Sequence, residues 1–398
     1  MRPDRGAVQK RGMALLTRTQ AWVFLAGITA AAQIGKMPPL MPAIGPGLGL
    51  GLVAGAIAIS LIEIGGALFG SRAARLATRL TERRTLRLAL VFLALGGFGQ
   101  ALAPGAGALL AFRGVEALGY LGVIVSAPVL IARAAPRGRA GQALAIWSTF
   151  VAIGIALGAT LAGGVADLWG WRTALALWAA LACAVLALGA RVRLPSGAPG
   201  AAEARRPSRR AVIAALGFGG FTCFQVGLLA LAPQYLVGAR GFGVAGAGLL
   251  TGLGALATVT GAAAPLLLGR RLARGSSLAP LLAAALLLPP LAVFPFFLDL
   301  PRPLLAALFI GLNMVSGIFP ALAFARLPQL SADGDVTASN GAIAQAGAAG
   351  SLLGPPVFAA CVSLGGWQAA AGVGLAVSCL AFALSLRVDR EIAAGGRG

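Results

Sequence analysis

The feature that most constrains this chain is a series of twelve apolar runs, each about as long as a helix that crosses a lipid bilayer. Inside hydrocarbon, backbone N–H and C=O groups find no water, so a spanning segment must be a helix or part of a closed barrel. A barrel strand needs only ~9–11 residues, whereas a spanning helix needs ~20. The sequence therefore predicts an all-α polytopic membrane protein with twelve transmembrane helices. The runs lie near residues 20–41, 50–70, 86–104, 107–131, 141–165, 171–191, 211–236, 244–268, 278–299, 303–325, 338–363 and 367–387.

Membrane topology explains the net charge of +21 better than nucleic-acid binding does. If both termini are cytoplasmic, the cytoplasmic segments carry 27 lysines and arginines, and the outer loops carry three, Arg172, Arg240 and Arg302. The positive-inside rule describes this asymmetry, and basic loops also suit an anionic inner leaflet. We therefore predict a multi-pass protein of a bacterial-type cytoplasmic (inner) membrane that contacts the lipid bilayer and binds no nucleic acid.

A polar, arginine-rich stretch at 195–210 interrupts the apolar runs and is typical of a cytoplasmic linker between two six-span halves, residues 1–194 and 211–398. The halves resemble each other at a single offset of 196 residues. Six is an even number, so both halves enter the membrane in the same orientation, which predicts a parallel pseudo-twofold repeat. The matching pairs are Gly154 with Gly350, Gly158 with Gly354, Gly170 with Gly366, and Trp171 with Trp367.

Four ionisable side chains lie inside apolar runs, and all four belong to the first third of the chain: Lys36, Glu63, Arg113 and Glu116. A charge at bilayer depth costs at least ~2.5–3.5 kcal/mol on insertion scales, so it marks a functional site by default. From about residue 211 on, no predicted span has a charge in its interior. The asymmetry indicates a transporter whose coupling chemistry lies in the N-terminal half.

Each of these four charges has two interpretations. Lys36, near the predicted outer end of the first span, either attracts an anionic substrate or extends its amine to the interface. Glu63 has no opposite charge in its own helix, and a desolvated carboxyl group favours its neutral form, so it is either a proton carrier or a structural acid. Arg113 and Glu116 are i, i+3 neighbours that either neutralise each other or serve substrate binding and proton coupling.

Polar stripes at helical spacing accompany the charges, as a central aqueous cavity requires. The stripes consist of Thr29, Gln33 and Lys36 in the first span, Ser60 and Glu63 in the second, and Arg113, Glu116 and Tyr120 in the fourth. The C-terminal half offers neutral groups that either orient a ligand or join helices. The candidate ligand-binding residues there are Gln225, Asn313, Asn340 and Gln345. Glycines at positions 154, 158, 350 and 354 allow close helix packing.

Three local motifs now suggest a family. Arg113–Gly119 (RGVEALG) is similar to an R-x-x-Q-G segment, with Glu116 in place of glutamine. Gly154–Gly164 (GIALGATLAGG) is similar to the G-x-x-x-G-P-x-x-G-G segment of antiporters. The loop at 74–84 (ARLATRLTERR) resembles a degraded G-x-L-A-D-R-x-G-R-R gate motif. With the twelve runs and the repeat, they make the whole chain resemble the major facilitator superfamily, which implies two six-helix bundles, alternating access and a monomer.

The departures from the family motifs lie in the gate loop and in the fifth span. The gate aspartate is Thr78 and its glycines are Ala74 and Thr81, while the antiporter proline is Ala159. The resemblance assigns the gate role to the loop residues Arg75, Thr78, Arg79 and Arg83. The segments 33–39 and 340–345 are similar to cyanate- and nitrate-type anion permeases, so the sub-family stays open between anion permeases and drug:proton antiporters.

The leading interpretation is a secondary active transporter, coupled to protons through Glu63, Glu116 or both. Its substrate is either a small anion bound by Lys36 and Arg113 or an amphipathic drug or metabolite that is exported. A non-transporting receptor on the same fold is a further alternative. A membrane enzyme is disfavoured, because the chain has no histidine and few acids in short loops. We expect no cofactor and no metal, since the four cysteines show no ligand spacing.

Overall fold

The computed structural model describes residues 17–70, 81–136, 139–192, 206–262, 277–331 and 336–395. These residues form helices and no strand, which confirms the predicted all-α class. The helices are α1 (Arg18–Gly35), α2 (Met37–Leu48), α3 (Leu52–Ser60), α4 (Ile64–Phe69), α5 (Glu82–Ala101), α6 (Ala106–Arg133), α7 (Ala140–Trp147), α8 (Phe150–Gly189), α9 (Arg209–Gly238), α10 (Val244–Ala257), α11 (Ala279–Phe296), α12 (Arg302–Ser316), α13 (Ile318–Ala325), α14 (Leu327–Leu330) and α15 (Val336–Gly395).

Eight helical segments among the described residues are long and apolar enough to cross a membrane. Two of them, α8 with 40 residues and α15 with 60, are far longer than the ~20 residues that one crossing needs. Both contain a break. The backbone turns out of helical geometry at Gly170 in α8, with φ 83°, and at Gly366 in α15, with φ 75°. Glycine adopts positive φ without a steric penalty, which explains the residue type at both breaks. Each helix is therefore long enough for two membrane crossings joined at a glycine.

The first two apolar runs each contain a break in the helix. Lys36 ends α1 and precedes α2, where Pro38 and Pro39 supply no N–H group to the preceding turn. In the second run, a 3-10 turn at Leu61–Glu63 separates α3 from α4. Helix α2 contacts α9, and both α3 and α4 contact α15, so the broken segments form much of the contact with the C-terminal half.

Residues that lie 196 positions apart share backbone conformation as well as amino-acid type. Gly170 and Gly366 both have positive φ. Two residues beyond Gly170, Arg172 donates to the Ala101 and Ala103 carbonyl oxygens at 2.7 and 3.0 Å, at the end of α5. Two residues beyond Gly366, Gln368 donates to the Phe294 carbonyl oxygen at 3.3 Å, near the end of α11. Each half thus anchors its glycine turn to the end of an equivalent helix.

Close helix packing surrounds the four motif glycines. A Cβ on Gly154 or Gly158 would collide with α1, and a Cβ on Gly350 or Gly354 would collide with α9. The two pairs therefore play matching parts in the two halves. At Gly158 the added Cβ would lie 2.5 Å from the Ala32 carbonyl oxygen and 3.0 Å from the Lys36 nitrogen.

Gly158→Ala is expected to destabilise the protein by about 1–3 kcal/mol, because the new methyl group meets rigid backbone rather than a movable side chain. Thermal unfolding in detergent measures the effect. The matched control is Gly164→Ala on the same helix, where an added Cβ has nothing within 4 Å. Equal melting temperatures for the two variants would show that α1 and α8 do not need this contact.

A buried ion pair in the C-terminal half lies just beyond the ends of the predicted spans. Helix α15 continues to Gly395, beyond the predicted end near 387, and Asp389 is fully buried on it. Asp389 pairs with Arg326 and accepts bonds from the Ser277 hydroxyl at 2.6 Å and the Leu278 N–H at 3.0 Å.

Candidate functional site

Arg113 of α6 joins two broken segments through their backbone. Its Nε donates to the Ala58 carbonyl oxygen at 3.0 Å, and its Nη2 to the Ile59 carbonyl oxygen at 2.9 Å. Its Nη1 donates to the Gln33 carbonyl oxygen at 2.8 Å. The guanidinium is 0% exposed. One side chain therefore bridges α1, α3 and α6.

The breaks explain why these carbonyls accept an arginine. The last four carbonyls of a helix have no intrahelical partner, and Gln33 lies in the last turn of α1. A change from i→i+4 to i→i+3 bonding disturbs the ladder at its junction, and Ala58 and Ile59 lie in the last turn of α3, which the 3-10 turn follows. A buried, unpaired backbone group is costly, so the broken segments require a donor at this place.

Glu116 lies at the centre of what we call the buried charge cluster: Lys36, Gln100, Arg113 and Glu116. Its Oε1 accepts from Lys36 Nζ at 2.7 Å, and its Oε2 from Arg113 Nη1 at 2.5 Å and Gln100 Nε2 at 2.9 Å. All four residues are 0% exposed. Buried charges are tolerated when they are paired and their remaining hydrogen-bonding capacity is satisfied, as it is here for the carboxylate.

The position of Lys36 corrects its expected place near the outer end of the first span. The apolar segment continues through α2 to Leu48, so Lys36 lies within the segment and not at its edge. Its amine neither reaches the interface nor faces an open cavity, because it is fully buried against Glu116. In this conformation the two expected substrate-binding cations, Lys36 and Arg113, are both occupied by protein atoms.

Glu63 ends the 3-10 turn and differs from Glu116 in its surroundings. Among the described residues, no lysine or arginine nitrogen forms an ion pair with it. The polar groups that act on its carboxylate are Arg113 and Tyr120, both on α6. A Cβ on Gly66 would lie 3.7 Å from Glu63 Oε2 and 2.8 Å from Ala348 Cβ on α15. The carboxylate therefore lies on the face that packs against the C-terminal half.

The predicted binding residues do not form one group. Gln33 Nε2 donates to the Thr29 carbonyl oxygen at 2.9 Å within its own helix. In the other half, Gln225 Nε2 donates to Asn313 Oδ1 at 2.5 Å, so these two amides join α9 to α12. Gln345 crosses between the halves, with its Nε2 2.9 Å from the Ala67 carbonyl oxygen. Asn340 is exposed on α15.

Of the predicted gate residues, Arg75, Thr78 and Arg79 lie outside the described residues, while Arg83 is partly buried at the start of α5. Gln100 is a site residue that the sequence interpretation missed. The signal was present, since Gln100 is the lone polar side chain in the apolar part of α5. Within the described part of the chain, no group of three or more histidine, cysteine, aspartate or glutamate side chains could hold a metal ion.

Comparison with known proteins places this geometry in a family. Residues 23–349 match the family model of the Major Facilitator Superfamily, so the chain belongs to that superfamily and is a membrane transporter of its type. A bacterial homolog of the human lysosomal transporter Spinster, in an inward-facing, unoccupied conformation, has a TM-score of 0.74 at 16% identity, over 96% of this chain and 98% of that one. The xylose transporter XylE from E. coli, inward open, has a TM-score of 0.70 at 13% identity, over 93% and 94%.

A curated relative matches a shorter part of the chain. The multidrug resistance protein Stp of Mycobacterium tuberculosis is 33% identical over 116 residues, which make up 29% of this chain. The matched part spans only 22% of the length of that relative. The structural matches, at 13–16% identity, show the fold.

Proposed function

We propose that this protein is a proton-coupled secondary active transporter that moves a small solute across a bacterial-type cytoplasmic (inner) membrane. Twelve spans form two six-helix bundles, residues 1–194 and 211–398, which rock about a central site to give alternating access. The glycine breaks at Gly170 and Gly366, which divide α8 and α15 into two crossings each, support this count. Both termini then lie in the cytoplasm, and the transporter works as a monomer.

The observation that carries the coupling assignment is the contrast between the two intramembrane glutamates. Glu116 accepts three hydrogen bonds from charged or amide donors and is the counter-ion of Lys36 and Arg113. Glu63 has no such partner and lies where the halves meet. A proton carrier must be able to bind and release its proton as the two halves move, and Glu63 meets this requirement better than Glu116.

For the solute, the geometry favours an amphipathic compound that is exported over a small anion that is taken up. An anion site requires free cationic donors, whereas the ammonium of Lys36 and the guanidinium of Arg113 are both committed to the buried charge cluster and to backbone carbonyls. The name of the relative Stp, a multidrug resistance protein, agrees with an amphipathic solute.

A cavity of about 460 Å³ between the two halves supports the same choice. It lies where α2 and α3 meet α9, and none of its lining residues is charged. Its wall combines apolar side chains, glycines and prolines with the amide of Gln234. Ligand pockets of this kind are mostly apolar with a few polar groups, as an amphipathic solute requires. The lining residues are Met41, Pro42, Gly45, Pro46, Gly49, Leu50, Gly51, Leu52, Gly55, Gln234, Val237 and Gly238.

A thermal-shift screen of the purified protein tests the solute class. Small anions, including cyanate, nitrate and carboxylates, are compared with cationic and neutral amphipathic drugs at matched concentrations. A ligand that binds only the folded state raises the melting temperature, by an amount that corresponds to about 2.7 kcal/mol at 100 times its Kd. We expect shifts from the amphipathic drugs. Shifts from the anions alone would contradict the solute assignment and restore the anion interpretation.

A further inference from the structure

We infer that Arg113 is a positioning residue: by holding the backbone breaks of the first two membrane segments, it sets the side chain of Glu63 at the junction of the two halves. The inference rests on the proposed function, since it assigns Glu63 the coupling role. It differs from the interpretation in which Arg113 touches the solute, and the two make different predictions for transport kinetics.

Arg113 makes most of its hydrogen bonds to backbone carbonyl oxygens. A guanidinium has five N–H donors in a fixed planar fork. Three bonds go to the carbonyl oxygens of Gln33, Ala58 and Ile59, and a fourth goes to Glu116. With four such bonds and no exposed surface, the side chain is committed to protein atoms in this conformation.

The 3-10 break changes the direction of the Glu63 side chain. A 3-10 helix turns about 120° per residue, whereas an α-helix turns about 100°. Over the three residues Leu61–Glu63, the difference rotates Glu63 by about 60° relative to an unbroken helix. Without the break, the carboxylate would be rotated by about this angle from the face that Gly66 and Ala348 share. The break in the backbone thus determines which surface the acid faces.

The titratable groups that act on Glu63 lie on α6. From α6, Arg113 and Tyr120 act on its carboxylate. From the C-terminal half, α15 presents no titratable side chain between residues 336 and 360. The charged members of the buried charge cluster, Lys36, Arg113 and Glu116, sum to a formal charge of +1, so an ionised Glu63 makes the whole set neutral. Arg113 therefore holds the break that places Glu63 and also supplies a positive charge that acts on its carboxylate.

Arg113→Lys tests the inference, because lysine keeps the positive charge but cannot reach several carbonyls from a planar fork. The variant is reconstituted into proteoliposomes and transport of a solute identified by the thermal-shift screen is measured against pH. We expect the maximal rate to fall about 100-fold, as for a misplaced reacting group, the KM to stay within about twofold, and the pH midpoint of transport to move. The matched control is Arg133→Lys at the end of the same helix, where Arg133 pairs with Glu82 at 2.9 Å.

The outcomes separate the inference from the proposed function. A raised KM with an unchanged maximal rate and pH midpoint would mean that Arg113 binds the solute, and the inference would be wrong. If Glu63→Gln keeps proton-driven transport, the coupling assignment itself fails. If Glu63→Gln loses it while Arg113→Lys behaves as the wild type, the inference alone fails.

A second variant covers the case in which Arg113→Lys does not fold. Arg113→Gln keeps two amide donors but carries no charge, so it preserves part of the bonding to the carbonyls. We expect it to transport more slowly than the wild type and to show a pH midpoint displaced to higher pH, because loss of a nearby positive charge favours the neutral carboxyl group. A folded Arg113→Gln protein with the wild-type midpoint and rate would overturn the inference.

Discussion

Glu63→Gln is expected to abolish proton-driven accumulation of the solute while leaving exchange of solute down its own gradient. Glutamine keeps the size and much of the polarity of the side chain, but it cannot bind and release a proton. Positioned proton transfer contributes roughly 100-fold or more to a rate, so uphill transport should fall by at least that factor. The measurement is solute accumulation in proteoliposomes with and without an imposed pH gradient.

Glu82→Gln is the control for this experiment. Glu82 is also a glutamate of the N-terminal half, but it lies at the start of α5 and pairs with Arg133 at 2.9 Å. Its replacement should leave proton-driven accumulation within about twofold of the wild type, since this partly buried ion pair lies at a helix end, away from Glu63 and the buried charge cluster. Uphill transport that survives Glu63→Gln and fails in Glu82→Gln would move the coupling site out of the membrane interior.

Glu116→Gln is expected to destabilise the protein by about 3–5 kcal/mol, because it leaves two buried positive charges without their counter-ion. Lys36 and Arg113 are both fully buried, and both bind the same carboxylate. Thermal unfolding in detergent measures the loss. Lys36→Met combined with Glu116→Gln should recover part of it, since one of the uncompensated charges is then absent.

The matched control is Glu391→Gln. Glu391 also accepts from two arginines, Arg210 at 3.3 Å and Arg387 at 3.4 Å, but these side chains are partly exposed to solvent, whereas those of the buried charge cluster are not. Exposed pairs are worth about 0–1 kcal/mol each. If Glu116→Gln melts at the same temperature as Glu391→Gln, the buried charge cluster is not a structural element and a direct part in transport becomes the better interpretation.

The helical class follows from the sequence because it depends on a local rule. Apolar runs of ~20 residues have to form helices, whatever they pack against. The repeat was also visible, since the chain needs glycine at both Gly170 and Gly366, where the backbone adopts positive φ. Positions with positive φ tolerate few residues other than glycine, so the same residue type recurs at a fixed offset in the sequence.

The buried charge cluster was only partly predictable. Helical spacing made a pair between Arg113 and Glu116 one of two interpretations, and that pair forms in the structure at 2.5 Å. The amine of Lys36 lies 80 positions away along the chain from Glu116, and nothing in local spacing relates them. Tertiary packing of α1 against α6 brings them together, and this packing depends on the whole bundle rather than on either segment.

The break at Glu63 shows a second limit. Pro38 and Pro39 indicate a break in the first segment, because each proline lacks the backbone N–H donor of a regular helix. The second segment has no proline between Leu52 and Phe69, and its 3-10 turn coincides with donors that α6 supplies. The amino-acid sequence of the second segment therefore predicted a continuous helix. The hydrogen bonds that accompany its break come from a side chain on another helix, α6.

The most direct test of the account is proton movement driven by the solute. Purified protein is reconstituted with a pH-sensitive dye inside the vesicles, and a solute identified by the thermal-shift screen is added on one side without any pH gradient. The account predicts a change of internal pH with the wild type and none with Glu63→Gln, although the solute still crosses. Solute flux that moves no proton in the wild type would contradict proton coupling.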